Sequence, residues 1–252
     1  MIRGLYTAGT GMMLQRRRME VVTNNIVNVE TAGFRKEFLV SQSLDERMVY
    51  RINDMPGHSL QPVGPLRLGT QIDQKYIDFR DGLLENTDRS TDLALLGNAF
   101  FAVQTEAGER YTRNGAFFID SAGMLADASG NLLLSTEGTP INVVGPNFRV
   151  DQSGNVFTED GLIATIRVVS FEDNVASLRK QGDSLFFSLV EPLDEPGEFR
   201  VAQGFLEGSN VEIAREMMDM LTIFRAYETN QRILTMIDET VGMAATQIGR
   251  LN

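Results

Sequence analysis

IAREMMDMLTIFRAYETNQRILTMIDETVGMAATQIGRL, residues 213–251, decides the fold. Apolar or aromatic residues recur along it at Ile213, Met220, Ile223, Tyr227, Leu234, Ile237, Val241, Ala244, Ile248 and Leu251, with Glu216 and Asn230 interrupting. Steps of three and four are heptad spacing, which lays one stripe along a helix and requires a partner helix to cover it. Residues 1–33 repeat the pattern with Leu5, Ala8, Met12, Gln15, Met19, Val22, Ile26 and Val29. The two ends are therefore expected to pair. The class is α+β, with N- and C-terminal helices paired as a coiled coil and a central, mainly antiparallel β domain. Such a chain reads as built to assemble rather than to catalyse.

Charge supports the pairing. Residues 1–36 hold six basic and two acidic side chains, whereas residues 207–252 hold four and seven. Opposite net charges favour side-by-side packing, although each surface pair contributes only about 1 kcal/mol or less. Arg16-Arg17-Arg18 fits either a solvated helix face or a contact between subunits. The intervening residues 37–206 carry 13 basic against 25 acidic side chains. That body repels itself at low salt and is a poor nucleic-acid binder.

The 252 residues allow one large domain or two modest ones, and 42% hydrophobic content makes the chain globular. There is no cysteine, hence neither a disulfide framework nor thiolate chemistry. No run of about 18 apolar residues occurs, so no membrane insertion is expected. The arginine cluster follows the apolar start, the reverse of a cleaved secretory signal.

The first helix is intrinsically weak, because Gly4, Gly9 and Gly11 each cost roughly 1 kcal/mol relative to alanine. Residues 1–30 are expected to fray in the lone subunit and to order against neighbours. Asn24, Asn25, Asn28, Thr31 and Gly33 form the polar cluster that ends the helix and begins a turn. Residues 34–75, with Pro56, Gly57, Pro62, Gly64 and Pro65, read as an extended connector. From 108 to 161 glycines fall every seven to nine residues between short apolar runs, suggesting an antiparallel meander closing into a sandwich or barrel. A further strand pair, Ser184 to Val190 and Glu198 to Ala202, is expected to bracket a Pro192–Pro196 turn. The organisation expected is an N-terminal helix over 1–33, the connector over 34–75, the β domain over 76–206 and a C-terminal helix over 207–252.

The residues of a catalytic centre are missing. The single histidine, His58, sits in the connector with no second ligand beside it, and neither a GxSxG elbow nor a phosphate-binding loop occurs. Asp120, Asp127 and Asp151 each precede a glycine by three residues, which suits turns better than a calcium loop with its twelve-residue ligand series. Glu159-Asp160 and Glu172-Asp173 are adjacent acids of the kind an acidic body contains by chance. Met12, Met13, Met217, Met218 and Met220 read as seam residues rather than a promiscuous groove. No catalytic residue, metal or cofactor is expected.

Several blocks carry a family resemblance. Thr23-Asn24-Asn25-Ile26-Val27-Asn28 with Thr31-Ala32-Gly33-Phe34 resembles the N-terminal signature of bacterial flagellar basal-body rod and hook proteins. Gly82, Leu84 and Thr87, then Asp92-Leu93-Ala94-Leu95 to Phe101, Tyr111-Thr112-Arg113 and Asp120 to Gly130, are similar to the family's central motif. GFLEGSNV (204–211) and Arg225-Ala226-Tyr227-Glu228 with Asn230 match its C-terminal block. The resemblance implies a structural rod subunit whose terminal helices stack with those of sister copies and of other rod or hook proteins. It also implies export through the flagellar type III apparatus without a cleaved leader, and a place in the basal body. On this reading Asn24, Asn25, Asn28, Thr31, Gly33 and Phe34 end the first helix and set the following turn. Leu5, Met12, Met19, Val22 and Ile26 form the assembly seam with the α-helical set Ile213, Met220, Ile223, Tyr227, Leu234, Ile237, Val241 and Ile248. Ser209 and Asn210 cap the C-terminal helix, as their side chains also suggest, and Arg225, Tyr227, Glu228 and Asn230 lie on its packing surfaces. Phe224 and Val27 depart from the family's usual Gln and Ala, leaving proximal- and distal-rod types both open. The alternative from another class is a cell-wall glycan-binding module or hydrolase carried on the β domain.

Overall fold

The computed structural model describes residues 2–44, 46–51, 61–143, 145, 147–159, 161–182, 184–193 and 197–249. Three helices occur among them: α1 (Ile2–Val27), α2 (Asn174–Ser177) and α3 (Ile213–Gly249). The protein is α+β, with helices near both ends and an antiparallel β region between them. None of these helices is long and apolar enough to cross a membrane. The described residues fall into two compact units, one within 1–26, 37–76 and 213–252, the other within 27–36 and 77–212.

In the first unit, α1 runs through all three glycines and gives way at Val27 to the Asn28 turn. Residues 37–76 are more structured than a connector. Glu37–Ser43 pairs with Thr70–Ile77, and Glu46–Arg51 forms an antiparallel ribbon with Gln61–Arg67. Tyr50 stands opposite Pro62 and Met48 opposite Pro65, with a register shift between Val49 and Tyr50. A two-stranded ribbon has a free outer edge on each strand, where proline's missing N–H is tolerated. Prolines therefore did not exclude strands here, although they exclude a helix.

The second unit contains an eight-stranded sheet. Its order is 178–181, 185–188, 108–112, 100–105, 132–133, 125–126 and 118–119, with 168–169 also pairing to 100–105. It is not a sequential meander. Nor do Leu185–Ser188 and Phe199–Gln203 pair with each other, and the turn expected over Pro192–Pro196 lies partly outside the described residues. The first joins 108–112 and 178–181, the second joins Leu93–Gly97, because buried apolar strands elsewhere offer better partners than the neighbour in sequence. The strand Phe100–Thr105 is buried on both faces. Phe100 and Ala102 enter one cluster with Tyr111, Phe171 and Phe186, while Phe101 and Val103 enter a second with Leu93, Leu125, Leu133 and Val156. Period-two alternation feeds both cores at once.

One turn module recurs in this unit. Asp120 Oδ1 accepts from the N–H groups of Ala122 and Met124, Asp127 Oδ1 from those of Ser129 and Asn131, and Asp151 Oδ1 from those of Ser153 and Asn155. The glycine three residues on has a φ of +83°, +84° and +84° respectively, a region that favours glycine. The carboxylates thus staple their own turns. Hydrogen bonds from Asn155 hold the Asp151 carboxyl below its ordinary value.

Candidate assembly site

The first unit brings the two long helices together at three places. A β-carbon built on Gly4 would lie 3.1 Å from Ile237 Cδ1, and one on Gly11 would lie 2.9 Å from Asn230 Nδ2. Asn25 Nδ2 donates to Glu216 Oε2 at 3.1 Å. Each advance along α1 is matched by an equal retreat along α3, so the contacts run in opposite directions with a constant offset.

Asn25 is fully buried and has no freedom to turn. Its Nδ2 also donates to the Glu37 carbonyl at 2.9 Å, and its Oδ1 accepts from the Glu37 N–H at 3.0 Å. Glu37 is itself buried, with Lys75 Nζ 2.8 Å from its carboxylate. Glu216 is 1% exposed. The interruption that looked like a flaw in the apolar stripe is a satisfied polar contact.

Elsewhere the stripe is only partly covered. Val22 is buried, whereas Met12, Met19, Ile26, Met220, Ile223, Tyr227, Leu234 and Ile237 are half-buried. Leu5, Ile213 and Val241 are exposed, and the Ile248 side chain lies outside the described residues. Leu14, absent from the heptad reading, is buried with Ala8. An apolar groove of about 480 Å³ is lined by residues including Leu5, Tyr6, Met12, Met13 and Tyr227.

The second unit holds the residues that follow α1 and precede α3. Asn28 Oδ1 accepts from Thr31 Oγ1 at 3.1 Å, and the Phe34 N–H donates to the Thr31 carbonyl. Asn24 is half-buried on the last turns of the helix. Gly33 has φ +67°, and a β-carbon there would sit 2.3 Å from the Asn114 nitrogen, so no other residue fits without displacing backbone. Its N–H donates to the Glu207 carbonyl at 2.7 Å. Phe34 is fully buried, with Lys180 Nζ 3.5 Å from its ring centroid. The two chain passages, 33–36 and 207–210, are thereby bonded to each other.

A buried charge cluster locks them. Arg35 and Glu207 are 0% and 1% exposed, with Arg35 Nη2 2.7 Å from Glu207 Oε1. The other oxygen of Glu207 faces Arg113 Nη1 at 3.4 Å, and Asp81 Oδ1 lies 3.3 Å from Arg35 and 3.8 Å from Arg113. Arg113 also donates to the Leu95 and Gly97 carbonyls and lies over the Phe100 ring. Arg35 donates to the Arg80 carbonyl, and the Gly82 N–H donates to Glu207. Burial lowers the Arg113 guanidinium below its ordinary value, and the Glu207 carboxylate opposes that. Desolvation offsets most of the attraction in such a cluster, but losing one member strands the others.

Ser209 and Asn210 do not cap α3. The helix starts at Ile213, with residues 208–212 between it and the strand Phe205–Glu207 that pairs with Leu84–Asn86. Asn210 Oδ1 accepts from the Lys36 N–H at 2.7 Å, and its Nδ2 donates to the Asp78 and Arg80 carbonyls. Ser209 Oγ accepts from the Val211 N–H, closing a turn. Arg225 is exposed, whereas Tyr227, Glu228 and Asn230 are half-buried along α3. Sequence reasoning overlooked Arg35, Asp81, Arg113 and Glu207 as a group; the available signal was that all four sit inside or beside quoted motifs. Among the described residues no group of three or more His, Cys, Asp or Glu is placed to hold a metal. His58 and Asp160 lie outside the described residues.

Three family profiles match the chain in order. Residues 5–35 match the flagella basal body rod protein family, 94–146 the flagellar hook protein FlgE/F/G D1 domain, and 202–247 the flagellar basal body rod FlgEFG protein C-terminal region. Arg35, Arg113 and Glu207 come one from each. The chain is 32% identical to the flagellar hook-basal body complex protein FlhO of Bacillus subtilis, with both chains fully covered. It is 30% identical to the flagellar basal-body rod protein FlgG of Agrobacterium fabrum, over 98% of this chain and 100% of that one. To the rod protein FlgF of Caulobacter vibrioides it is 30% identical, with both fully covered.

Proposed function

The chain belongs to the flagellar basal-body rod protein family, and from that membership we propose that α1 and α3 pair as an antiparallel coiled coil through which copies polymerise. The protein is a structural subunit of the basal-body rod. Its relatives are structural flagellar proteins rather than enzymes, and the glycan-binding or hydrolytic alternative finds no support among them. The observation that carries the pairing is the constant offset of the Gly4–Ile237, Gly11–Asn230 and Asn25–Glu216 contacts.

The half-covered seam supports the polymerisation. Apolar area left open on one subunit is worth roughly 25 cal/mol per Å² when a neighbour covers it. Contacts of this kind that do not close on themselves extend into a filament, here a shaft that carries torque. The partners are sister copies and other rod or hook axial proteins. Delivery uses the flagellar type III apparatus, which a weakly helical start suits.

A chain lacking residues 1–30 tests this reading. It should be soluble, monomeric by sedimentation, and unable to restore swimming in a strain lacking the full-length protein. Rods built from the shortened chain would overturn it.

A further inference from the structure

We propose that Glu216, acting on Asn25, sets the register of α1 against α3. The inference rests on the pairing of the two helices put forward above. The apolar part of the seam cannot fix that register, because it repeats every seven residues. Leu5, Met12, Met19 and Ile26 are each a heptad apart, as are Met220, Tyr227, Leu234 and Val241. The two glycine contacts repeat in the same way. Gly4 and Gly11 are seven apart, and so are Ile237 and Asn230, which stand over them. Sliding α3 by one heptad brings Ile237 over Gly11, with apolar residues again facing apolar residues. Packing alone leaves two alignments close together in energy.

The Asn25–Glu216 contact does not repeat. One heptad along α3 from Glu216 stands Ile223, so the slide in that direction places the Asn25 amide against an aliphatic chain. The opposite slide carries Asn25 past the first turn of α3. Asn25 cannot turn away to escape either outcome, because its remaining hydrogen bonds hold both polar atoms to the Glu37 backbone. A fully buried amide fixed in direction therefore recognises one carboxylate at one position. Polar groups buried in apolar helix seams set register in this way elsewhere.

The chain has no cysteine, so paired cysteines report alignment directly. Gly4→Cys with Ile237→Cys reads the native register, and Gly11→Cys with Ile237→Cys reads the slipped one. A short bismaleimide is applied to the full chain, and intrachain products are identified by mass. With Glu216 present, the native pair should dominate at least tenfold. Glu216→Leu leaves the Asn25–Glu37 bonds intact and should raise the slipped product at least tenfold. Glu216→Gln keeps an oxygen acceptor and should restore the native preference. If Glu216→Leu cross-links only in the native register, the assignment of Glu216 falls while the helix pairing stands. If neither pair cross-links with Glu216 present, the pairing itself falls and takes this inference with it.

Discussion

The strand Phe100–Thr105 and the helix α3 are both rich in apolar residues, yet they end in opposite conditions. Phe100, Phe101, Ala102 and Val103 are fully buried, and each has found its neighbours within the chain. Among the described side chains of α3 only Glu216 is buried, while Met217, Met218, Leu221, Phe224, Met236 and Met243 are about half exposed or more. The body completes its own core. The helices leave much of theirs open, and that is the surface the proposed polymerisation would cover.

The sharpest way to break this contrast is Leu234→Asp. A carboxylate in the half-covered seam should abolish assembly outright, seen as loss of high-mass species in sedimentation, while the thermal unfolding of the body stays unchanged. A shift in body unfolding would mean that the two regions are not independent. Glu207→Ala attacks the other side. Removing the carboxylate leaves Arg35 and Arg113 buried beside each other, and should cost about 3–5 kcal/mol in urea unfolding.

A smaller effect should come from Tyr111, whose burial, with the Glu109 charge adding, pushes the phenol up to about 12. The folded state then keeps its proton where the unfolded state loses it. Body stability should therefore be constant below about pH 10 and decline between pH 10 and 12. Tyr111→Phe should flatten that decline in alkaline denaturation curves. Least affected should be Asp81→Asn, because that carboxylate is 59% exposed and should change stability by less than about 1 kcal/mol. Comparing it with Glu207→Ala separates the buried part of the cluster from its solvated rim.

The elements that declare themselves in sequence are those governed by local rules. The heptad stripes mark both long helices, and the turn begins at Asn28 just after α1 ends at Val27, whereas Asn24 and Asn25, expected at the helix end, lie inside the last turns of the helix. The Asp-x-x-Gly turns were legible because each carboxylate bonds its own following backbone. What escaped depends on distance along the chain. Asn210 has the side chain of a helix cap but spends it on Lys36, Asp78 and Arg80, more than a hundred residues away. The burial of Arg35, Arg113 and Glu207 was not legible, since nothing local distinguishes a buried ion from a solvated one. Strand pairing failed in the same way where Leu185–Ser188 passed over its neighbour for Gly108–Thr112.

The bond between the two chain passages has a mechanical consequence. Residues 33–36 and 207–210 are stapled side by side through Gly33, Arg35, Lys36, Glu207 and Asn210. A pull arriving through either passage is met by the same group of bonds. Parting the two passages therefore means breaking a buried ion pair along with the hydrogen bonds beside it.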